Sequence, residues 1–289
     1  MAIRLLAALI ALGLLHMQPQ LACWRGDAGF RRWVHQLADT SGVGRVALAV
    51  LVPVVVCALV IWILHRLPLS ALLLLIFALA VLLFSLGPHA FEADMEAILR
   101  APDQGSREAA AQVLSDDGET VAWRTADLGE ATAYAALRRR FGVLFWFFVL
   151  GPIGALLYRL ARQLGHDTSL ALDADARIKA RYLANALDWL PAQLMVFTLA
   201  LVGHWDAVIG AWRRWHQQAA PNSWYLSNPD FLGAAARADV LTDIEGGDGY
   251  IEERTDPLHE LRRLRDALLR ALLAWLSVVA LMVMGSWLH

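Results

Sequence analysis

Long apolar runs alternate along the chain with polar stretches rich in arginine. Residues 43–64 and 67–86 are two such runs, each near the ~20 residues needed to span roughly 30 Å of hydrocarbon. Only His65, Arg66, Leu67 and Pro68 connect them, which predicts an adjacent antiparallel helical hairpin. Pro68 is expected near the first turn of the second helix, where its missing N–H costs nothing. Residues 267–288 form a third span, with Arg262, Arg263 and Arg265 set to meet headgroups at its start.

Residues 141–160, FGVLFWFFVLGPIGALLYRL, are equally apolar but carry Gly151 and Pro152 at their middle. Proline there removes a helical hydrogen bond, so the segment reads either as one kinked span or as a re-entrant hairpin of two half-helices. If it crosses, the basic residues are nearly balanced between the two sides; if it re-enters, all but Arg66 gather on one side. Residues 184–203 read as a partial insertion, because Leu194–Val202 is apolar while Asn185, Asp188 and Pro191 interrupt the first half.

The linkers 87–140 and 205–265 predict amphipathic helices. Ser106 is expected to cap the alanine-rich turn through Leu114, and Asp127 to open another helix near Glu130. Trp212, Trp215, Trp224 and Tyr225 beside arginines suit headgroup level. The acidic, glycine-containing stretch 243–253 reads as an exposed loop. Arg4 precedes apolar Leu5–Leu15, a segment expected to be retained as a helix, since neither a small-x-small site nor a lipobox before Cys23 follows it. The fold expected is all-α: a polytopic membrane helical bundle with amphipathic interfacial helices, in a single domain over residues 1–289.

Composition supports lipid as the principal partner: 58% of residues are hydrophobic and 18% charged, against ~25% charged in soluble domains. A net charge of −2 excludes the basic footprint that nucleic acid requires. Of 25 basic residues only Lys179 is lysine, which reads as codon bias. Cys23 and Cys57 lack CxxC spacing, and no histidine pairs with Asp, Glu or Cys in ligand spacing, so neither a metal nor a cofactor is expected. Nucleotide, hydrolase and zinc-protease signatures are absent.

Three polar groupings remain. Glu92, Asp94 and Glu96 follow the second run; Glu92 and Glu96 share a helix face with Arg100, as a solvated ion-pair row or as carboxylates held for a cationic group. Asp116, Asp117 and Glu119 surround Gly118 as a turn. Arg181, Asn185 and Asp188 fall at spacings of four and three on one face leading into an apolar stretch, where a carboxylate is expensive and usually paired. They read either as a structural set satisfying Asp188 or as one wall of a polar pocket. Arg181, Asn185, Asp188, Glu130 and Asp94 are the candidate pocket residues, for an unidentified small molecule or membrane-protein partner.

FWFFVLGPIGALLYRLARQL (145–164) and LDWLPAQLMVFTLALVGHWDAVIGAW (187–212) resemble the AmpE family, membrane proteins tied to regulation of β-lactamase induction. The resemblance implies a multi-pass bacterial inner-membrane protein with a regulatory or sensory role, encoded alongside a cytoplasmic amidase of cell-wall recycling. That family is in turn similar to the membrane synthases of cobalamin assembly, and Glu130 matches the first acid of their motif, while Leu187–Gln193 resembles their NWLPAR segment. Tyr134, Ala135 and Arg138 stand where the synthases carry Glu, Asn and Asp, and Ala161–Gln163 replaces an asparagine run. Alanine and arginine supply neither an anionic ligand nor a base at neutral pH. The expected function is therefore regulatory or sensory, with a membrane-bound synthase or ligase related to adenosylcobinamide-phosphate synthase as the alternative.

Overall fold

The computed structural model describes residues 1–17, 27–87, 91–115, 120–220, 225–246 and 256–285. In chain order the helices are α1 (Ala2–Met17), α2 (Ala28–Gln36), α3 (Gly42–Leu64), α4 (Ser70–Ser85), α5 (Phe91–Arg100), α6 (Gln104–Ala111) and α7 (Thr125–Ala136). They continue with α8 (Gly142–Leu150), α9 (Pro152–His166), α10 (Ala174–Val202), α11 (Trp205–Gln218), α12 (Asp230–Gly246) and α13 (Pro257–Gly285). No strand occurs among the described residues, and α3, α10 and α13 are long and apolar enough to cross a membrane. The protein is an all-α membrane bundle. It divides into two compact units, Met1–Ala90 with Gly142–Leu187 and Val278–His289, and Phe91–Phe141 with Asp188–Ser277.

In the first unit α9 lies against both α3 and α4, and α1 packs on α4. Ala7, Ala8 and Ala11 of α1 are fully buried, as small residues must be where helices associate in lipid by close backbone approach. Leu51, Val55, Val56, Leu59 and Trp62 of α3 are exposed, an apolar face suited to acyl chains. α4 is shorter than the apolar run that encodes it: Leu69 adopts a left-handed φ of 63° at the N-cap, so Pro68 stands before the helix and not in its first turn.

The stretch 141–160 is two helices. α8 stops at Leu150, Gly151 takes a φ of 74° that favours glycine, and Pro152 opens α9 at a position where no N–H is needed. The chain then reverses. A Cβ on Gly142 would strike the Tyr158 hydroxyl, and one on Gly154 the Trp146 carbonyl oxygen, whereas a straight helix would hold 142 and 158 about 24 Å apart. The break strands carbonyls at the end of α8, and Arg4 donates to two of them, Phe148 at 2.8 Å and Val149 at 3.0 Å.

The stretch 184–203 falls largely within α10. Asn185, Asp188 and Pro191 do not interrupt it; it is one helix of 29 residues. Pro191 deprives the Leu187 carbonyl of its helical donor, and the Trp146 indole replaces it at 3.0 Å. At the start of α10 the Asp173 carboxylate accepts from the Ala176 N–H at 3.1 Å and from the Gly42 N–H of α3 at 3.2 Å, with Arg45 at 3.7 Å.

In the second unit α12 packs on both α7 and α11. Gly129 of α7 faces Val240, and Gly233 of α12 faces the Glu130 carboxylate, so two missing side chains let the helices close up. α7 passes into a π turn over Leu137–Phe141, which fans Arg138, Arg139 and Arg140 toward different partners. Within its apolar half α10 carries Thr198, whose hydroxyl accepts from the Trp275 indole at 2.8 Å and donates to the Leu194 carbonyl at 2.7 Å. α6 is capped by Asp103, whose side chain accepts from the Ser106 N–H at 2.9 Å, so Ser106 is the residue capped, not the cap. α7 starts at Thr125, and α12 continues to Gly246, making the first part of 243–253 helical where a loop was expected. Residues 247–253, Cys23, Asp116, Asp117, Glu119 and Trp224 lie outside the described residues.

Candidate functional site

Asp127, Glu130, Tyr134 and Arg138 recur at spacings of three, four and four, which places them along one face of α7 and its π turn. This face forms one wall of a cavity of about 520 Å³. Ser115 and the extended segment Thr120–Ala122 close a second side, and Asn228, Asp230 and Arg237, at and just before α12, close the third.

Arg237 reaches across from α12 to two carboxylates of α7, Asp127 at 2.9 Å and Glu130 in a closer contact still. Burial alone would lower the Arg237 guanidinium, but the Glu130 and Asp127 charges more than offset it and hold it above its ordinary value. Arg138 donates to the Asn228 side-chain oxygen at 3.1 Å and lies 5.2 Å over the Tyr134 ring. The Tyr134 hydroxyl lies 3.4 Å from the Pro229 carbonyl and 3.5 Å from Asp230 Oδ1. Burial, and then the charges of Asp230 and Glu130, push the phenol well above its usual range. Asp230 sits at the exposed rim with its carboxyl turned toward Tyr134; loss of solvent there, followed by the charge of Glu130, raises it above the ordinary carboxylate value. At neutral pH the site thus presents a protonated phenol, two carboxylates paired with Arg237, one of them also 4.0 Å from Arg124, a guanidinium over the Tyr134 ring, and the Asp230 carboxyl, on which Arg138 acts through its charge.

Of the five residues selected from sequence, Glu130 lines the cavity. Asp94 instead pairs with Arg139 at 2.5 Å, and Glu92 with Arg140 at 2.6 Å, so two of three acids after the second run anchor the π turn. Only Glu96 keeps the exposed row expected with Arg100, at 2.5 Å. Arg181 donates to the Gly165 carbonyl at 3.3 Å. Asn185 is buried, its Oδ1 without a hydrogen-bond partner among the described residues, and Asp188 is fully buried. His204 has its backbone N–H 2.8 Å and its ring Nδ1 3.0 Å from Asp239 Oδ1. The residues that sequence reasoning missed divide in two. Asp127, Tyr134 and Arg138 carry a usable signal in their helical spacing with Glu130; Asn228, Asp230 and Arg237 arrive from a distant helix and carry none.

No solved structure shows a significant match to the chain. A cobalamin biosynthesis protein, CobD of Chromobacterium violaceum, is 31% identical over 201 residues, covering 65% of this chain and 61% of that relative, so the match spans less than two thirds of the relative's length. The family described as regulatory signalling modulator protein AmpE matches residues 3–224, which takes in all of α7 but ends before Asn228, Asp230 and Arg237. With well over half of its length matched, the chain belongs to the AmpE family.

Proposed function

We propose that this protein is a multi-pass regulator in the bacterial inner membrane that couples cell-wall recycling to β-lactamase induction by binding a small molecule in the cavity between α7 and α12. The observation that carries this reading is the state of the cavity's reactive groups: Arg237 neutralises Asp127 and Glu130, and Tyr134 keeps its proton. Groups so compensated recognise a ligand more readily than they activate one. The family's description as a signalling modulator agrees with recognition. In this reading α3, α10 and α13 cross the bilayer, and the α8–α9 hairpin enters and leaves on one face, with Arg4 satisfying the carbonyls at its tip. Asp188, fully buried, keeps its helix docked and is not a ligand contact.

The test is induction in cells whose own copy is replaced by Asn228→Ala, a change that removes the partner of Arg138. With protein accumulating at the normal level, β-lactamase induction is expected to change at least several-fold. Unaltered induction in that variant and in Arg237→Gln would sink the proposal.

The relation to CobD favours a second reading, a membrane-bound synthase or ligase in which Glu130 is the surviving acid. Amide formation between an adenosylcobyric acid analogue and an aminopropanol-type substrate by the purified protein, lost in Glu130→Gln, would establish it. The replacement of the synthases' Glu, Asn and Asp by Tyr134, Ala135 and Arg138 argues against that outcome.

A further inference from the structure

We propose that the carboxyls of Asp243 on α12 and Glu260 on α13 share one proton, and that its loss as pH rises loosens the joint between those two helices. The joint is separate from the cavity and is built around Arg263. That guanidinium lies 3.0 Å from Asp239, 3.2 Å from Asp243 and 2.9 Å from Glu260. Asp239 and Glu260 are buried, and Asp243 is more open. Two imidazoles complete the surroundings. His204, at the corner between α10 and α11, holds its Nδ1 3.0 Å from Asp239 and its Nε2 3.9 Å from Asp243, and the exposed His259 ring lies 3.7 Å from Glu260 Oε1. Among the described residues no other basic side chain stands within ion-pair distance of the three acids.

Charge and hydrogen bonding both call for the proton. With neutral imidazoles, three ionised carboxylates against one guanidinium leave two negative charges in excess, and a proton in the joint halves that excess. Glu260 Oε1 is buried and receives no hydrogen bond, while the Asp243 carboxyl, a second acceptor, is its neighbour. His259 is too far from it to donate. A proton between the two carboxyls turns this meeting of acceptors into an O–H···O bond. Placing the proton on His204 does not serve as well, because a neutral ring already donates from Nδ1 to Asp239 and Glu260 Oε1 would stay unmet. Glu260 precedes the apolar run 267–288, and burial, followed by the bond to Asp243, raises its carboxyl above the ordinary value while Arg263 acts the other way. The folded chain therefore keeps a proton at pH values where the unfolded chain has released it. Stabilisation by the joint falls as pH rises from the ordinary glutamate range to the folded value. α12 also carries Asp230 and Arg237, so the helix that loosens is one that walls the cavity.

The test is amide hydrogen exchange read by mass spectrometry, with the full chain in nanodiscs, from about pH 5 to about pH 9, where buried carboxyls titrate. After correction for the intrinsic exchange rate, protection of residues 239–246 and 257–263, the two ends that meet at Arg263, should fall several-fold across that range, while protection of α9 stays level. Glu260→Gln carries its own hydrogens in place of the proton and should keep the joint protected throughout. Asp243→Asn should do the same, so either variant suffices if the other fails to fold. His204→Gln should retain the wild-type dependence, and neither it nor the wild type needs the carboxamide variants. Protection in the wild type that does not change with pH overturns the proposal. A dependence that survives in Glu260→Gln and Asp243→Asn also overturns it, as does one that vanishes in His204→Gln, which would put the proton on the imidazole. None of these outcomes bears on induction through the cavity, which the variants at Asn228 and Arg237 test separately.

Discussion

Pro191 deletes one hydrogen bond from α10, and Trp146 restores it from another helix. Trp146→Phe keeps the ring but leaves the Leu187 carbonyl unpaired, which should cost about 1–3 kcal/mol in thermal melts. Pro191→Ala supplies the missing N–H, so most of that loss should disappear in the double variant; an additive result would refute the pairing. Two aspartates give opposite dependences on pH. The Ala176 N–H and other donors hold Asp173 below the ordinary carboxylate range, so its stabilisation is present above the unfolded value and is lost as pH falls through the folded one. Asp173→Asn should melt lower than wild type at neutral pH, with the gap closing in acid. Burial and Glu130 raise Asp230, so its penalty is absent in acid and grows as pH rises through the folded value. Asp230→Asn should therefore melt higher than wild type at neutral pH and equal to it in acid. Glu130 was legible in the sequence through its match to the first acid of the related synthases' motif. Asp230 was not, since nothing local distinguishes it from any other acid at a helix start.

At the scale of elements, the α8–α9 hairpin depends on what is missing as much as on what is present. Gly154 abuts the Trp146 carbonyl oxygen, which is backbone and has no room to yield, so Gly154→Ala should sharply reduce accumulation of the folded protein. Gly29 in α2 faces open space, and Gly29→Ala should stabilise by roughly 0.5–1 kcal/mol through loss of unfolded-state freedom. Comparing the two separates helix propensity from crossing geometry. Gly151 and Pro152 announced the break in the sequence, but the reversal behind it depends on Gly142 fitting the Tyr158 hydroxyl, a contact no periodicity encodes. α10 shows the converse. Its polar residues break the apolar pattern, yet the helix runs on, with a donor from Trp146 meeting the carbonyl that Pro191 leaves open. The π turn after α7 was likewise invisible, because three successive arginines form it only where Glu92, Asp94 and Asn228 are there to receive them.

For the whole molecule, the α8–α9 reversal has a consequence for topology. In a cysteine-free background, single cysteines at Arg124 and Thr168, before and after the hairpin, should react with a membrane-impermeant maleimide from the same side of the bilayer. Reaction from opposite sides would place a crossing between them and remove the re-entrant arrangement. The sequence alone determined the solvent and the class of this protein. Uninterrupted apolar stretches cannot be hidden from water in so short a chain, and in lipid their backbone must be helical to bond itself. Tertiary structure decided where the chain turns and what its polar residues serve. A proline's orphan carbonyl, a glycine's vacant side and an acid's charge acquire meaning only from the atoms that folding brings beside them.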